Sequence, residues 1–229
     1  MCLMSTARRE PQPPALQLCY ITDRRQFPGD DKEQQLRLLE KISECAAAGV
    51  DFIQVREKDL SPRALERLSR SAVAAIPAGS PAKVLINSRT DVALASGAHG
   101  VHLPAHDIPA SEARVIWDRT RRPAAVIGAS VHSLEEVALA EAHGADFAVF
   151  GPVFEKDGRA SPQGLELLRQ ACRRPHHADV PMPLLALGGV TLENAQRCLD
   201  AGAGGIAAIR LFQDHDAAVI AGALRSLGF

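Results

Sequence analysis

Short apolar runs alternate with amphipathic stretches along nearly the whole chain. Apolar runs bounded by turn residues predict strands buried on both faces, and a period of about 3.6 residues predicts helices. The predicted strands are 18–22, 51–57, 83–87, 100–104, 125–131, 146–153, 183–189 and 205–210. The predicted helices are 32–48, 61–76, 89–96, 109–118, 133–143, 163–173, 191–201 and 214–226. This alternation predicts an α/β fold, a single (β/α)8 TIM barrel.

A similar junction recurs where a predicted helix ends and a strand begins. It reads Ala-Gly-Val-Asp at 48–51, Ser-Gly-Ala-His-Gly at 96–100, His-Gly-Ala-Asp at 143–146 and Ala-Gly-Ala-Gly-Gly at 201–205. The glycine supplies the left-handed backbone that ends a helix. The junctions lie about 50 residues apart, the length of two strand–helix units in a barrel. A doubly wound sheet is the alternative, but Tyr-Ile-Thr-Asp at 20–23 is not its glycine-rich fingerprint.

Three predicted helices carry start signals. Ser61 precedes a proline at the first helical position, which is typical of an N-cap. Ser133 with Glu136 has the spacing of a capping box, and Thr191 with Asn194 is similar.

Composition narrows the class of protein. The chain has 229 residues, 46% hydrophobic residues and a net charge of -1, which indicates one large domain without a nucleic-acid or membrane-surface partner. We expect residues 1–15 to be a flexible arm and 16–229 to be the catalytic barrel. No apolar run has the length of a membrane span. Five scattered cysteines without a Cys-x-x-Cys pair predict reduced thiols and a cytoplasmic protein.

Three polar residues alternate at the end of the second predicted strand, in Gln54-Val-Arg56-Glu-Lys58. Because successive side chains of a strand point to opposite faces, Gln54, Arg56 and Lys58 share one face. Two cations at a barrel mouth are costly to bury without a partner, and a phosphate or diphosphate would be such a partner. A salt-bridge network that closes the barrel is the alternative, and the spacing favours the anionic ligand.

An amide and a carboxylate follow the third and fourth predicted strands. Asn87 ends the third strand, and Asp107 lies in the loop after the fourth. With waters and phosphate oxygens of a ligand, these two side chains could hold Mg²⁺. Equally, they could do no more than cap the helices that follow.

Ser130 and His132 lie two residues apart at the end of the fifth predicted strand and therefore share a face. A histidine at the end of a barrel strand is a candidate acid or base. It could also simply hydrogen-bond a loop carbonyl. No set of histidines and cysteines has the spacing of a zinc site.

The last three predicted strands end in a polar loop and in glycines. The 155–164 loop is rich in turn formers, which is typical of a lid or of a flexible loop. Gly188-Gly189 and Ile209-Arg210 end the seventh and eighth strands, where barrels of this kind often bind phosphate. Glycine lets backbone N–H groups approach an anion closely, and a helix N-terminus nearby adds a favourable dipole.

Together these residues resemble the family of thiamine phosphate synthase and its sister, the TenI-type thiazole tautomerase, from about Tyr20 to Ile209. The motifs that carry the resemblance are Tyr-Ile-Thr-Asp at 20–23, Gln-Val-Arg-Glu-Lys at 54–58, Leu-Ile-Asn at 85–87, Gly-Val-His-Leu at 100–103 followed by Asp107, Gly-Ala-Ser-Val-His at 128–132, Gly-Ala-Asp-Phe at 144–147, Gly-Pro-Val-Phe at 151–154 and Leu-Gly-Gly-Val at 187–190. The resemblance covers nearly the whole chain and implies the same barrel.

The resemblance implies a Mg²⁺-dependent transferase that joins hydroxymethylpyrimidine diphosphate to thiazole phosphate and releases pyrophosphate. It implies that Asp107 is a metal ligand and that Ser130 lies near the reacting centre. The residues that it implies for the pyrimidine and its diphosphate are Gln54, Arg56, Lys58 and Asn87, with Lys58 also stabilising the departing group. The residues expected at the thiazole phosphate are Gly188, Gly189, Ile209 and Arg210. Phosphorylated small molecules are the expected partners, and a homodimer would be unsurprising.

The chain also departs from the synthase pattern. Ser88 stands where the synthases have a second metal-binding aspartate, and Lys156-Asp-Gly-Arg159 replaces Thr-x-Thr-Lys, with Arg159 keeping the cation. Arg210 stands where serine is common. These departures favour the tautomerase, as does the segment around His132, which would then be the acid and base. The retained cradle and Asp107 favour the synthase, which we predict. The tautomerase and a non-catalytic phosphate-binding relative are the alternatives.

Overall fold

In a computed structural model of the protein, eight parallel strands close into a barrel. The structure describes residues 16–155, 164–175 and 181–228. The strands are β1 (Gln17–Ile21), β2 (Phe52–Val55), β3 (Lys83–Asn87), β4 (Gly100–Leu103), β5 (Val126–Val131), β6 (Phe147–Phe150), β7 (Leu184–Ala186) and β8 (Gly205–Ala208). Each strand pairs with the next in chain order, and β8 pairs with β1. The predicted (β/α)8 barrel is therefore confirmed.

Helices follow every strand and cover the outside of the barrel. They are α1 (Asp31–Ala47), α2 (Pro62–Ala74), α3 (Thr90–Ser96), α4 (Ala110–Asp118), α5 (Leu134–Ala142), α6 (Gly164–Arg173), α7 (Leu192–Asp200), α8 (Arg210–Gln213) and α9 (Ala217–Leu227). A 3-10 helix, Arg24–Gln26, lies between β1 and α1. Among the described residues, no helix combines the length and the apolar character that a membrane crossing needs.

The predicted elements are all present, and some boundaries were wrong. The strand predicted over 146–153 ends at Phe150, where Gly151-Pro152 follows and the proline lacks an N–H for the ladder. The helix predicted over 214–226 corresponds to α9, which begins at Ala217 after its N-cap Asp216. The short helix α8 was not predicted, and its first residue, Arg210, was assigned to the last strand, which ends at Ala208. The arm expected over residues 1–15 lies outside the described residues.

Two of the three predicted helix caps are confirmed. The hydroxyl of Ser61 accepts from the N–H of Ala64, and Asn194 accepts from the N–H of Thr191 at 2.8 Å. The capping box at Ser133 was half wrong. Its hydroxyl accepts from the N–H of Glu136 at 3.1 Å, but the Glu136 carboxylate accepts from the N–H of His132 at 2.6 Å. The reciprocal bond has moved one residue back, onto the end of β5.

Two separate clusters of apolar side chains fill the barrel and its surroundings. The larger cluster lies between the strands and the helices, as in other layered α/β folds. The smaller cluster fills the interior and consists of Cys19, Ile21, Phe52, Leu85, Phe147, Val149, Leu185 and Ala207. Within it, the rings of Phe52 and Phe147 stack with centroids 4.4 Å apart. The interior is therefore a packed core, and any ligand site must lie above it.

The repeated junction has a structural role at the amino-terminal end of the barrel. At three of its four occurrences, the polar residue just before an even strand accepts a hydrogen bond from the backbone N–H of the preceding odd strand. The pairs are Leu18 N with Asp51 Oδ2 at 2.8 Å, Val84 N with His99 Nδ1 at 3.1 Å, and Ile127 N with Asp146 Oδ2 at 2.6 Å. At the fourth junction the carbonyl of Gly204 accepts from Gln17 N at 3.0 Å. The repeat thus provides acceptors for backbone N–H groups near the starts of the odd-numbered strands.

We predict that Asp146→Ala lowers the free energy of unfolding by about 2 kcal/mol, because it leaves the Ile127 N–H without its charged acceptor. The change also removes the partner of Arg114, whose Nη2 lies 3.1 Å from Oδ2. Urea denaturation measures the difference. The control is Asp118→Ala at the exposed end of α4, which should change stability by a few tenths of a kcal/mol. Equal effects of the two changes would contradict the capping role.

Candidate active site at the carboxyl ends of the strands

Polar side chains lie on one side of the barrel mouth and apolar ones on the other. The alternation that points Phe52 and Leu85 into the interior also points Gln54 and Asn87 there, one step nearer the mouth. His102 and Ser130 face inward on β4 and β5. On the opposite side, the corresponding positions are Val149, Leu187 and Ala207. The mouth therefore divides into a polar half at β2–β5 and an apolar half at β6–β8 and β1.

Gln54 and Asn87 are neighbours in the polar half. Gln54 is buried, and its Nε2 lies 3.5 Å from Oδ1 of Asn87, a long hydrogen bond. Lys58 and Asn87, together with Ser88, line a cavity of about 220 Å³. The structure thus brings together three of the residues predicted to bind substrate.

Arg56 and Lys58 lie in the loop after β2 rather than on the strand, which ends at Val55. Arg56 is half-buried and Lys58 is exposed. Within the part of the chain that the structure describes, neither side chain has a hydrogen bond or an ion pair. The salt-bridge network that was the alternative for these residues does exist, but it uses Glu57 and Arg24 instead. The two predicted cations thus have no charged partner among the described residues, and Arg56 lies near enough to the inward-facing His102 to lower the pKa of that ring.

Asp107 is held by Ser88. The Ser88 hydroxyl donates to Oδ2 of Asp107 at 2.5 Å, and the N–H of Ile108 donates to Oδ1 at 2.8 Å. Ser88 has a φ of 65°, a left-handed backbone that is unusual outside glycine. The capping alternative was wrong, since the N-caps of α3 and α4 are Arg89 and Pro109 and neither helix has a side-chain cap. Asp107 and Ser130 line a second cavity, of about 210 Å³.

His102 was not among the residues predicted for the site, although it lies beside Ser130 in the polar half of the mouth. The ring is buried, and its Nε2 lies 2.9 Å from the hydroxyl oxygen of Ser130. Gly128 makes room for it, because a Cβ at Gly128 would lie 2.7 Å from Nδ1. One feature of the sequence could have indicated its role: His102 is a single histidine among the apolar residues of β4, at an inward-facing position. Burial, and then the charge of Arg56, lower the pKa of His102 to about 3.

The neutral His102 orients the hydroxyl of Ser130. Nδ1 has no hydrogen-bond partner among the described residues, and an unpaired buried donor is costlier than an unpaired acceptor. We therefore assign the proton to Nε2, which donates to Ser130 Oγ. The hydroxyl proton of Ser130 is then left to point into the mouth.

His132 has partners separate from those of Ser130. Its ring is exposed, and Nδ1 lies 2.5 Å from the carbonyl oxygen of Gly151 at the end of β6. Only a protonated Nδ1 can donate to that carbonyl, which leaves Nε2 without a proton in the neutral ring. The loop-carbonyl contact considered for this histidine is therefore present, and the second nitrogen is open to accept a proton.

The predicted phosphate residues lie together in the apolar half. Gly188, Gly189, Ile209 and Arg210 line a cavity of about 550 Å³. Gly189 has a φ of 60°, and a Cβ there would lie 2.0 Å from the carbonyl oxygen of Glu155. Glycine is therefore required here by the close approach of the 152–155 segment as well as by the backbone conformation. Arg159 lies outside the described residues.

The donors near Asp107 are of the kind that Mg²⁺ takes. Carboxylate, amide and hydroxyl oxygens come from Asp107, Asn87 and Ser88. Among the described residues, no cluster of three or more His, Cys, Asp or Glu side chains could hold a metal ion. Of the five cysteines, the four that are described are free thiols. Burial raises the pKa of all four thiols, to about 12, 11 and 12 for Cys45, Cys172 and Cys198 and further still for Cys19.

Comparisons with known proteins agree on one family. The profile of the family described as thiamine monophosphate synthase matches residues 18–212. A thiamine-phosphate synthase of Chlorobium luteolum is 40% identical over 197 residues, which cover 84% of this chain and 82% of the relative. One of Methanoculleus marisnigri is 41% identical over 169 residues, covering 72% and 75%. The solved structure of thiamine phosphate pyrophosphorylase from Pyrococcus furiosus matches with a TM-score of 0.73 and 33% identity, covering 94% and 96%.

We predict that His102 makes stability fall on acidification. The unfolded chain binds a proton on this histidine below about pH 6.5, whereas the folded protein resists protonation down to about pH 3. The folded state therefore loses stability as pH falls through this window. Between pH 7 and pH 5, the wild type should lose about 2 kcal/mol more than His102→Gln, measured by urea denaturation. The exposed His106 supplies the control, since His106→Gln should keep the wild-type dependence. Parallel curves for wild type and His102→Gln would contradict the assignment.

Proposed function

Because the chain belongs to the thiamine monophosphate synthase family, we propose that it joins hydroxymethylpyrimidine diphosphate to thiazole phosphate, forming thiamine phosphate and pyrophosphate. The enzyme is then a transferase of thiamine biosynthesis. The observation that carries the proposal is the pair Arg56 and Lys58, two cations at the mouth without a partner among the described residues. An anion with several charges is the partner that such a pair favours.

The divided mouth supports a reaction between two anionic substrates. The polar half offers Gln54 and Asn87 for ring nitrogens and amino groups, with Arg56 and Lys58 for the diphosphate. The apolar half offers a larger cavity with the glycine backbone and Arg210 for a phosphate. The thiazole ring would lie against Leu187 and Ile209, and the two reacting atoms would meet near Ser130.

The reaction moves negative charge onto the departing diphosphate. The thiazole nitrogen attacks the activated methylene of the pyrimidine, a C–N bond forms, and the C–O bond to the diphosphate breaks. Lys58 and Arg56 stabilise the charge that develops on the leaving oxygens. The hydroxyl of Ser130, oriented by His102, is available to donate a hydrogen bond to the same group. Holding both substrates in place removes the entropic cost of their encounter.

The family generally depends on Mg²⁺, and we propose that Asp107 holds it here with Asn87 or Ser88. When bound with the diphosphate, the ion neutralises charge on the leaving group. One carboxylate with several neutral oxygens suits Mg²⁺, which keeps waters and takes substrate phosphates as ligands. The Ser88 hydroxyl keeps the Asp107 carboxylate in a defined orientation. Because a second carboxylate is absent at Ser88, we expect Mg²⁺ to bind together with the diphosphate rather than before it.

The remaining parts of the proposal concern location and partners. We propose a cytoplasmic protein, a compartment that suits free thiols of the kind described here. Its partners are the phosphorylated substrates. The homodimer stays a prediction.

A second candidate is the thiazole tautomerase, and His132 carries it. With Nδ1 donating to Gly151, Nε2 of an exposed ring is free to take and return a proton. The tautomerase would aromatise a thiazole phosphate held by Gly188 and Gly189, without need of Arg56 and Lys58. The two candidates therefore depend on different halves of the mouth.

We predict that Lys58→Met lowers kcat/KM for thiamine phosphate formation by about 100-fold, since a charge-assisted contact to the leaving group is lost. The product is followed after oxidation to its fluorescent form, with Mg²⁺ present and with EDTA as the metal control. Lys83→Met is the matched variant, because Lys83 is an exposed lysine at the opposite end of the barrel. It should keep wild-type activity. Undiminished synthesis by Lys58→Met would remove the role proposed for Lys58, whereas no thiamine phosphate from the wild type would remove the synthase proposal.

We predict that His132→Asn retains synthase activity within about threefold, because His132 contacts Gly151 rather than Ser130. The same variant is assayed for aromatisation of the thiazole phosphate tautomer. If the wild type makes no thiamine phosphate but isomerises the thiazole, and His132→Asn abolishes that isomerisation, the second candidate replaces the first.

A further inference from the structure

Arg24 lies directly behind the loop that carries Arg56 and Lys58. It follows β1 in the 3-10 helix, and its side chain is only 5% exposed. The guanidinium contacts three carboxylates. These contacts are Nη1 with Glu57 Oε2 at 3.1 Å, Nη1 and Nη2 with the two oxygens of Asp59 at 2.7 and 2.8 Å, and Nη2 with Asp31 Oδ1 at 2.9 Å. Two of its three partners come from the loop after β2.

That loop alternates in charge residue by residue. Arg56 and Lys58 are separated by Glu57, and Asp59 follows. Each cation therefore has a carboxylate next to it in the chain, and in a flexible loop the two could form an ion pair. An ion pair inside the loop would compete with any anionic ligand for Arg56 and Lys58.

The structure pairs both carboxylates of this loop with Arg24. Glu57 and Asp59 face Arg24, whereas Arg56 and Lys58 have no such partner among the described residues. Glu57 is also held by the hydroxyl of Thr22 at 2.6 Å and by the backbone N–H of Arg24. The same Thr22 hydroxyl accepts from the N–H of Arg56 at 3.0 Å, which fixes the backbone of the loop at its first residue after β2.

Arg24 binds the exposed carboxylate, Asp59, as closely as the buried one, Glu57. The bidentate contact with Arg24 lowers the pKa of Asp59 to about 2, although this side chain is 41% exposed. Glu57 is buried, and burial raises the pKa of its carboxyl against the opposing effect of Thr22 and Arg24. Both carboxylates are thus engaged by Arg24, and among the described residues neither pairs with Arg56 or Lys58.

We propose that Arg24 is a positioning residue that keeps Glu57 and Asp59 away from Arg56 and Lys58, so that the cations stay available for the diphosphate. This inference rests on the proposed function, since it concerns the same diphosphate. Arg24 itself does not touch the ligand. Its effect is to set the net charge that the loop presents to the mouth.

A double variant that lacks both Arg24 and Asp59 distinguishes this role from a purely structural one. If Arg24 only braces the loop, removal of a further partner in the network should do additional harm. If Arg24 withholds carboxylates from the cations, removal of Asp59 should repair much of the damage caused by loss of Arg24. The two roles therefore differ in sign.

The experiment titrates the purified full-length protein with inorganic pyrophosphate and Mg²⁺ by calorimetry, alongside a thermal unfolding measurement. Arg24→Gln should weaken pyrophosphate binding about tenfold. Asp59→Asn alone should stay within about twofold of the wild type. The double variant Arg24→Gln with Asp59→Asn should return to within about threefold. Because Glu57 stays in all of these variants, the rescue is expected to be incomplete.

Asp31 supplies the matched control. It contacts the same guanidinium at 2.9 Å and is also exposed, but it belongs to α1 and not to the loop. Arg24→Gln with Asp31→Asn should therefore bind pyrophosphate as weakly as Arg24→Gln alone. If Arg24→Gln does not fold, Arg24→Lys takes its place, since a single ammonium cannot hold Glu57 and Asp59 as the guanidinium does.

The outcomes separate this inference from the proposed function. Wild-type binding of pyrophosphate together with rescue by Asp59→Asn and not by Asp31→Asn would establish it. Wild-type affinity in Arg24→Gln, or equal rescue by both substitutions, would overturn it and leave the proposed function standing. A wild-type protein that binds no pyrophosphate with Mg²⁺ would remove the proposed function and this inference with it.

Discussion

Closing eight parallel strands into a barrel sends every second side chain of each strand into a space with very little room. The stacked rings of Phe52 and Phe147 fill its lower part. The absence of a side chain at Gly128 leaves room for His102 above these rings. Because apolar side chains fill the lower interior, the polar residues in the inward register lie at the carboxyl ends of the strands. The position of the candidate site follows from this packing.

The same period of two explains how the site acquires charge. Past the end of β2, the loop alternates in charge, and both of its carboxylates pair with Arg24 while Arg56 and Lys58 have no charged partner among the described residues. A buried histidine beside the cations stays neutral, because burial and Arg56 both oppose its protonation. The mouth thus keeps positive charge at Arg56 and Lys58 and a neutral donor at Ser130, a combination suited to a leaving group that gains negative charge.

Sequence patterns predicted the fold well and the site in part, for different physical reasons. Apolar runs and helix-ending glycines are local signals, so all eight strand–helix units, the inward direction of Gln54 and the place of Asn87 at the end of its strand could be predicted. The roles of Arg24 and His102 could not, since each depends on contacts with residues distant in the chain. Glu136 was assigned to a capping box, but the N–H of His132 competes for the same carboxylate. Such competition is settled by tertiary geometry.

The two ends of the barrel differ in their polar contacts, and the departures from the family pattern lie at only one of them. At the amino-terminal end, Asp51, His99 and Asp146 repeat one contact because the backbone donors there repeat. At the carboxyl end, the described loops show no such repeated contact, and their polar residues differ from one loop to the next. Ser88 and Arg210 both stand at this end. Neither residue belongs to the strand ladder or to the interior cluster that closes the barrel, so the two departures from the family pattern lie in the part of a barrel where chemistry varies between proteins of one fold.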